Sequence, residues 1–165
     1  MDPKNQTRVV RASALIPARR ERVYNILANY RDGHPRILPK QFSNLVVEQG
    51  GIGAGTVIRF QMSVLGRKQT FRAEISEPEP GRVLVETYLD AKGAITTFTV
   101  DEGTAPADSR VTISTELPVR GGFLGLIEGK LSGISLRPIY ERELENLARV
   151  ATGPASRCPR SSACR

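Results

Sequence analysis

Apolar and polar positions alternate along most of this chain. In Thr56 to Leu65, Ile58, Phe60, Met62 and Val64 fall on one side and Arg59, Gln61 and Ser63 on the other. Phe71, Ala73 and Ile75 alternate with Thr70, Arg72 and Glu74. Val83, Val85, Thr87 and Leu89 alternate with Leu84, Glu86 and Tyr88, and the first set is predicted inside. Ala94, Thr96, Phe98 and Val100 form a further inner set, as do Val111, Ile113, Thr115 and Leu117. A period of two predicts strands with one buried and one wet face. Thr7 to Ile16 and the run Leu45, Val46 and Val47 supply two more β-leaning segments. Between these two, Val23, Ile26, Leu27 and Tyr30 recur at helical spacing after Pro17.

The period changes near the end. Gly121 to Ala151 is the longest run compatible with helix, and it carries two apolar stripes. Phe123, Ile127, Leu131 and Ile134 form the first. Leu136, Tyr140, Leu144, Leu147 and Ala151 form the second, displaced by roughly 140°. Pro138 lacks the N–H that would bond back to Ile134, so a kink or break is expected between the halves. The first half is glycine-rich, which suits either close packing on a sheet or a gate over a cavity. The order is strand, helix, six strands, long helix. Short turns make successive strands antiparallel neighbours, and such a sheet twists and curls. The expected fold is therefore α+β, with a curved antiparallel sheet of six to seven strands wrapped around the C-terminal helix.

Composition narrows the function classes. At 165 residues one domain is expected, residues 7–151, between a disordered N-terminus (1–6) and a disordered tail (152–165). The net charge is +7, but without Arg157, Arg160 and Arg165 in the tail it is +4, interspersed with acids. Nine aromatics on apolar-looking segments do not make the stacking platform of a nucleic-acid binder, so no nucleic-acid partner is expected. No apolar run reaches the length of a membrane span, and contact with a membrane would be transient at most. The polar start reads as no signal peptide and a cytoplasmic location. Cys158 and Cys164 lie in the tail and His34 is the single histidine, so neither metal nor cofactor is expected.

Candidate chemistry is sparse. Gly51-Ile-Gly53-Ala-Gly55 resembles a phosphate loop in composition, but a strand follows it rather than a helix, so it reads as a hairpin connection. His34 is either a loop residue fixing the turn before Pro35 or a proton carrier at a cavity mouth. Glu74, Glu86 and Glu116 share the predicted outer parity, which argues against a two-carboxylate acid/base site. Arg59 and Arg72 share it too and would pair with these acids across strands. Thr87 and Thr96 share the predicted inner parity, where hydroxyls could orient a ligand.

The segments HPRILP (34–39), GGIGAGTVIRF (50–60), EPEPGRVLVET (77–87), TTFTV (96–100) and RPIYERELENLA (137–148) carry a resemblance. Together with the element order they resemble the START-like (SRPBCC) superfamily, in its bacterial polyketide cyclase/dehydrase and lipid-transport-like branch. The resemblance implies a helix-grip fold with a deep apolar cavity between sheet and C-terminal helix. The expected function is binding of a hydrophobic small molecule, such as a lipid, polyketide or isoprenoid, as carrier or sensor. The expected lining is Phe60, Met62, Phe71, Ile75, Val85, Thr87, Phe98 and Ile113, closed by Ile127, Leu131 and Ile134. The alternative is a cyclase/dehydratase-type enzyme in which His34 or a hydroxyl moves a proton. A buried polar pair in the cavity would favour the enzyme, and a wholly apolar lining the carrier.

Overall fold

The computed structural model describes residues 7–64, 66–91, 93–118 and 136–154. Seven strands form one antiparallel sheet in the order β1-β7-β6-β5-β4-β3-β2. They are β1 (Thr7–Ile16), β2 (Phe42–Gln49), β3 (Val57–Val64), β4 (Arg67–Glu79), β5 (Val83–Tyr88), β6 (Ile95–Glu102) and β7 (Ser109–Pro118). Helix α1 (Arg20–Ala28) and a 3₁₀ turn (His34–Arg36) fill the long connection from β1 to β2. Because β1 pairs with β7 from Thr7↔Pro118 to Ile16↔Ser109, that connection crosses from one edge of the sheet to the other. This α+β architecture is the helix-grip fold.

Helix α2 (Arg137–Thr152) carries Pro138 in its first turn. A first-turn N–H has no intrahelical partner, so proline costs nothing there and marks the start of the helix. Residues 121–135, the predicted glycine-rich first half with Ile127, Leu131 and Ile134, lie outside the described residues, as do 1–6 and 155–165. The helix runs on through Thr152, past the predicted end of the domain.

Ile139, Tyr140, Leu144, Leu147 and Ala151 of α2 are buried. Leu147 is fully buried. Leu147→Ala is expected to cost about 2–5 kcal/mol, the usual range for emptying a packed leucine site. Urea unfolding measures this, and a loss below about 1 kcal/mol would show that α2 is not the anchor of the core.

Inner parity is as expected on β3, β4, β6 and β7, but reversed on β5. Leu84 and Glu86 are buried, whereas Thr87 and Leu89 are exposed. Both faces of β5 carry apolar residues, so periodicity alone does not select one. Pairing does: Leu84 sits opposite Phe98, and Glu86 opposite Thr96 on β6 and Ile75 on β4. Directly paired residues share a face, so Phe98, Thr96 and Ile75 take Leu84 and Glu86 inward with them.

The glycine segment is structural. Gly53 donates its N–H to the Ala28 carbonyl and Tyr30 donates to that of Gly51, which ties the loop to the end of α1. The Glu77 carboxylate accepts from the Ala54 N–H (2.7 Å) and from the Tyr24 hydroxyl (2.6 Å). Gly53 has φ +61° and a Cβ there would strike that carboxylate. The loop thus already holds an internal anion. On the outer face, Arg59 and Arg72 both reach Glu48 of β2 (3.0 and 2.8 Å), rather than the acids expected from the sequence.

Candidate functional site

The concave face of the sheet and α2 leave a cavity between them. Leu38, Phe42 and Leu45 line it with apolar side chains that are only half-buried. Phe60, Met62, Phe71 and Phe98 form apolar walls further in. The space is about 640 Å³, counted out into open solvent.

The interior is not apolar throughout. His34, Glu86, Tyr88, Thr96, Thr115, Tyr140 and Glu143 also line the cavity. His34 is 2% exposed, Glu86 5% and Glu143 3%. His34 Nδ1 lies 2.8 Å from the Leu27 carbonyl oxygen. A carbonyl only accepts, so Nδ1 carries the proton and Nε2 presents a lone pair. That Nε2 stands 3.9 Å from Glu86 Oε1 and 4.0 Å from Glu143 Oε1. The imidazole is fixed in place by stacking on Tyr30 (4.4 Å between ring centres) and by an edge contact with Phe98 (5.6 Å). The Tyr30 hydroxyl in turn donates to Glu86 Oε1 at 2.7 Å.

Burial sets the protonation of this cluster. It pushes the Glu86 carboxyl up to about 7, with the Tyr30 hydroxyl pulling the other way. Burial and then the charge of Glu86 push Glu143 up to about 8. Burial lowers His34 to about 4, against the opposing effect of the Leu27 carbonyl. At neutral pH the imidazole is therefore uncharged, and its approaches to the two acids are neither ion pairs nor hydrogen bonds. The two carboxyls titrate as a pair across the neutral range. Burial also raises Tyr30, Tyr88 and Tyr140, so their hydroxyls stay protonated.

A chain of hydroxyls completes the wall. Tyr88 meets Thr96 at 3.2 Å, Thr96 meets Thr115 at 2.7 Å, and Thr115 meets the Tyr140 hydroxyl at 2.6 Å. Each is both donor and acceptor, so the chain can reorient when a polar group binds beside it.

Of the residues expected to line the cavity, Phe60, Met62, Phe71 and Phe98 do so. Ile75 and Ile113 are buried on the same sheet face, within the hydrophobic core. Val85 and Thr87 lie on the opposite face of β5, and Ile127, Leu131 and Ile134 lie outside the described residues. The expected outer position of Glu86 is corrected by the register of β5, and with it the argument against a two-carboxylate site. Glu143 was legible on the helical wheel: it is three residues beyond Tyr140 and four before Leu147, inside the apolar stripe.

A curved antiparallel sheet gripping a C-terminal helix over such a cavity defines a START-like ligand-binding domain. The chain belongs to the polyketide cyclase/dehydrase and lipid transport family, whose model matches residues 7–152. Solved structures agree. The solution structure of KanY is 25% identical, with a TM-score of 0.76, covering 90% of this chain and 99% of that one. A protein from Thermus thermophilus is 23% identical (TM-score 0.68; 87% and 97% covered). A norcoclaurine synthase mutant from Thalictrum flavum, solved with a transition-state analogue, is 16% identical (TM-score 0.68; 91% and 97% covered). No curated protein matches the chain. Family and fold together give hydrophobic ligand binding as the coarse function.

Among the described residues no helix is long and apolar enough to cross a membrane, and no group of acids, histidines and cysteines is arranged to hold a metal ion.

Proposed function

We propose that this protein binds an apolar small molecule in the cavity and transfers protons to or from it through Glu86 and Glu143, with His34 as their neutral partner. The observation that carries the reading is the pair of buried carboxyls facing His34 Nε2 at 3.9 and 4.0 Å. Burying two acids costs several kcal/mol that an apolar pair would not. Acids held near neutral pH suit proton transfer in both directions. A protein of the same fold, norcoclaurine synthase, has been solved with a transition-state analogue, which supports catalysis as a use of this scaffold. The second reading is a carrier or sensor of a lipid, polyketide or isoprenoid-like molecule, favoured by the apolar walls of Phe60, Met62, Phe71 and Phe98.

Deuterium uptake distinguishes the two. With β-tetralone, an apolar ketone with an acidic C–H, in heavy water, the protein is expected to speed exchange at the α-carbon by at least ~100-fold over buffer. Glu86→Gln and Glu143→Gln should each abolish most of that gain while still binding the ketone. Binding by the native protein without faster exchange would leave the carrier.

A further inference from the structure

The inner end of the cavity brings two buried carboxyls and an imidazole lone pair together. Glu143, 3% exposed, lines the cavity, and among the described residues nothing hydrogen-bonds to its carboxyl. Glu86 accepts from Tyr30 alone among them, which leaves lone pairs on both of its oxygens. His34 Nε2, its lone pair fixed by the Nδ1 contact to Leu27, lies 3.9 and 4.0 Å from them. Among the described lining residues there is no lysine or arginine. Buried acids normally have a cation beside them.

The spacing of these atoms carries information. Acceptors sharing one ammonium group at ~2.9 Å lie about 4–5 Å from one another. Glu86 Oε1 and Glu143 Oε1 stand 3.9 and 4.0 Å from His34 Nε2, too far to bond to it and close to the spacing that a common donor imposes. The walls suit a cation as well. Phe60, Phe71 and Tyr88 meet one another at 5.7 to 6.2 Å, and with Phe98 they give the cavity aromatic surfaces that attract positive charge. A carboxylate or phosphate ligand would instead face two acids with no cation among the described lining.

We infer that the ligand is an apolar molecule bearing a protonated amine, its ammonium seated among Glu86, Glu143 and His34 Nε2 and its apolar body running out along Phe60 and Phe98. This rests on the reading of the cavity as the ligand site and names the class of its ligand. A hydroxyl offers one donor to three acceptors, whereas an ammonium offers three and adds the charge that holds both carboxyls ionised. The groups facing those carboxyls are Tyr30 and His34 from the α1–β2 connection, Tyr88 from β5 and Tyr140 from α2. None of these four changes charge near pH 7, so a proton displaced by the ammonium at that pH comes from Glu86 or Glu143.

Three isosteric probes test this: naphthylmethylamine, naphthylmethanol and naphthoic acid, titrated into the full-length protein by calorimetry near neutral pH in buffers of different ionisation enthalpy. The amine is expected to bind at least ~10-fold tighter than the alcohol, with release of up to about one proton, and the acid weaker than both. Glu143→Gln should remove most of the preference for the amine over the alcohol. Glu86→Gln serves as the second variant should the first fail to fold. Equal or tighter binding of the alcohol, or an amine preference unchanged in the variants, would overturn the inference while leaving the cavity as the ligand site. Binding by none of the three would overturn both.

Discussion

Stability is expected to fall as pH rises from about 4.5 to about 8, most steeply just above pH 6.5, and Glu143→Gln is expected to remove a large part of that fall. Glu86 and Glu143 have folded pKa values raised by burial to about 7 and about 8. An unfolded chain loses these protons near pH ~4.3, while the folded one keeps them. Between those limits the unfolded state binds fewer protons, so each acid lowers stability by about 1.4 kcal/mol per pH unit. His34 works in the other direction. Its folded pKa is lowered to about 4, so stability is lost as pH falls below the unfolded value of ~6.5. From about pH 4.5 to 6.5 the histidine offsets one acid, and above 6.5 that offset ends. At about pH 9 the Gln variant should exceed the native protein by several kcal/mol, and near pH 4.5 the two should be close. Urea midpoints at three pH values decide it, and parallel curves for the two proteins would refute the buried acid pair.

Leu84→Asp is expected to be among the most destabilising single changes in the molecule. Leu84 is fully buried opposite Phe98, and an aspartate there has no partner, so a loss of ~4 kcal/mol or more is expected, enough to unfold a marginal domain. Thr87→Asp, three residues on and on the exposed face, should cost no more than about 1 kcal/mol. The opposite ranking in denaturant melts would mean that β5 pairs one residue out of register, and would put Glu86 outside the cavity.

Much of the fold follows from local pattern. Alternation in Phe60–Met62, Phe71–Ile75, Phe98–Val100 and Val111–Leu117 is unambiguous because only one parity is apolar, and these strands carry most of the walls. Strand β5 is not legible in this way, because Val83 and Val85 on one parity compete with Leu84 and Tyr88 on the other. Only its long-range pairing with β4 and β6 resolves it, and a period-2 pattern says nothing about partners. The polar half of the site depends on that one strand. Parity alone sends Glu86 to solvent, and without Glu86 neither Glu143 nor His34 stands out. A glutamate inside the apolar stripe of α2 and a histidine before Pro35 each have ordinary explanations alone. They become a site because the 3₁₀ turn, β5 and α2 bring them together across more than a hundred residues of chain.

The most direct measurement is a carbon-13 NMR titration of the glutamate carboxyls, with Glu86 and Glu143 assigned through their Gln variants, without and with naphthylmethylamine. Two carboxyls are expected to titrate at about 7 and about 8 in the free protein. Both should move down and shift in resonance when the amine binds, while the other glutamates stay put. Midpoints near the ordinary ~4.3 for both, or two raised midpoints that the bound amine leaves unchanged, would contradict it.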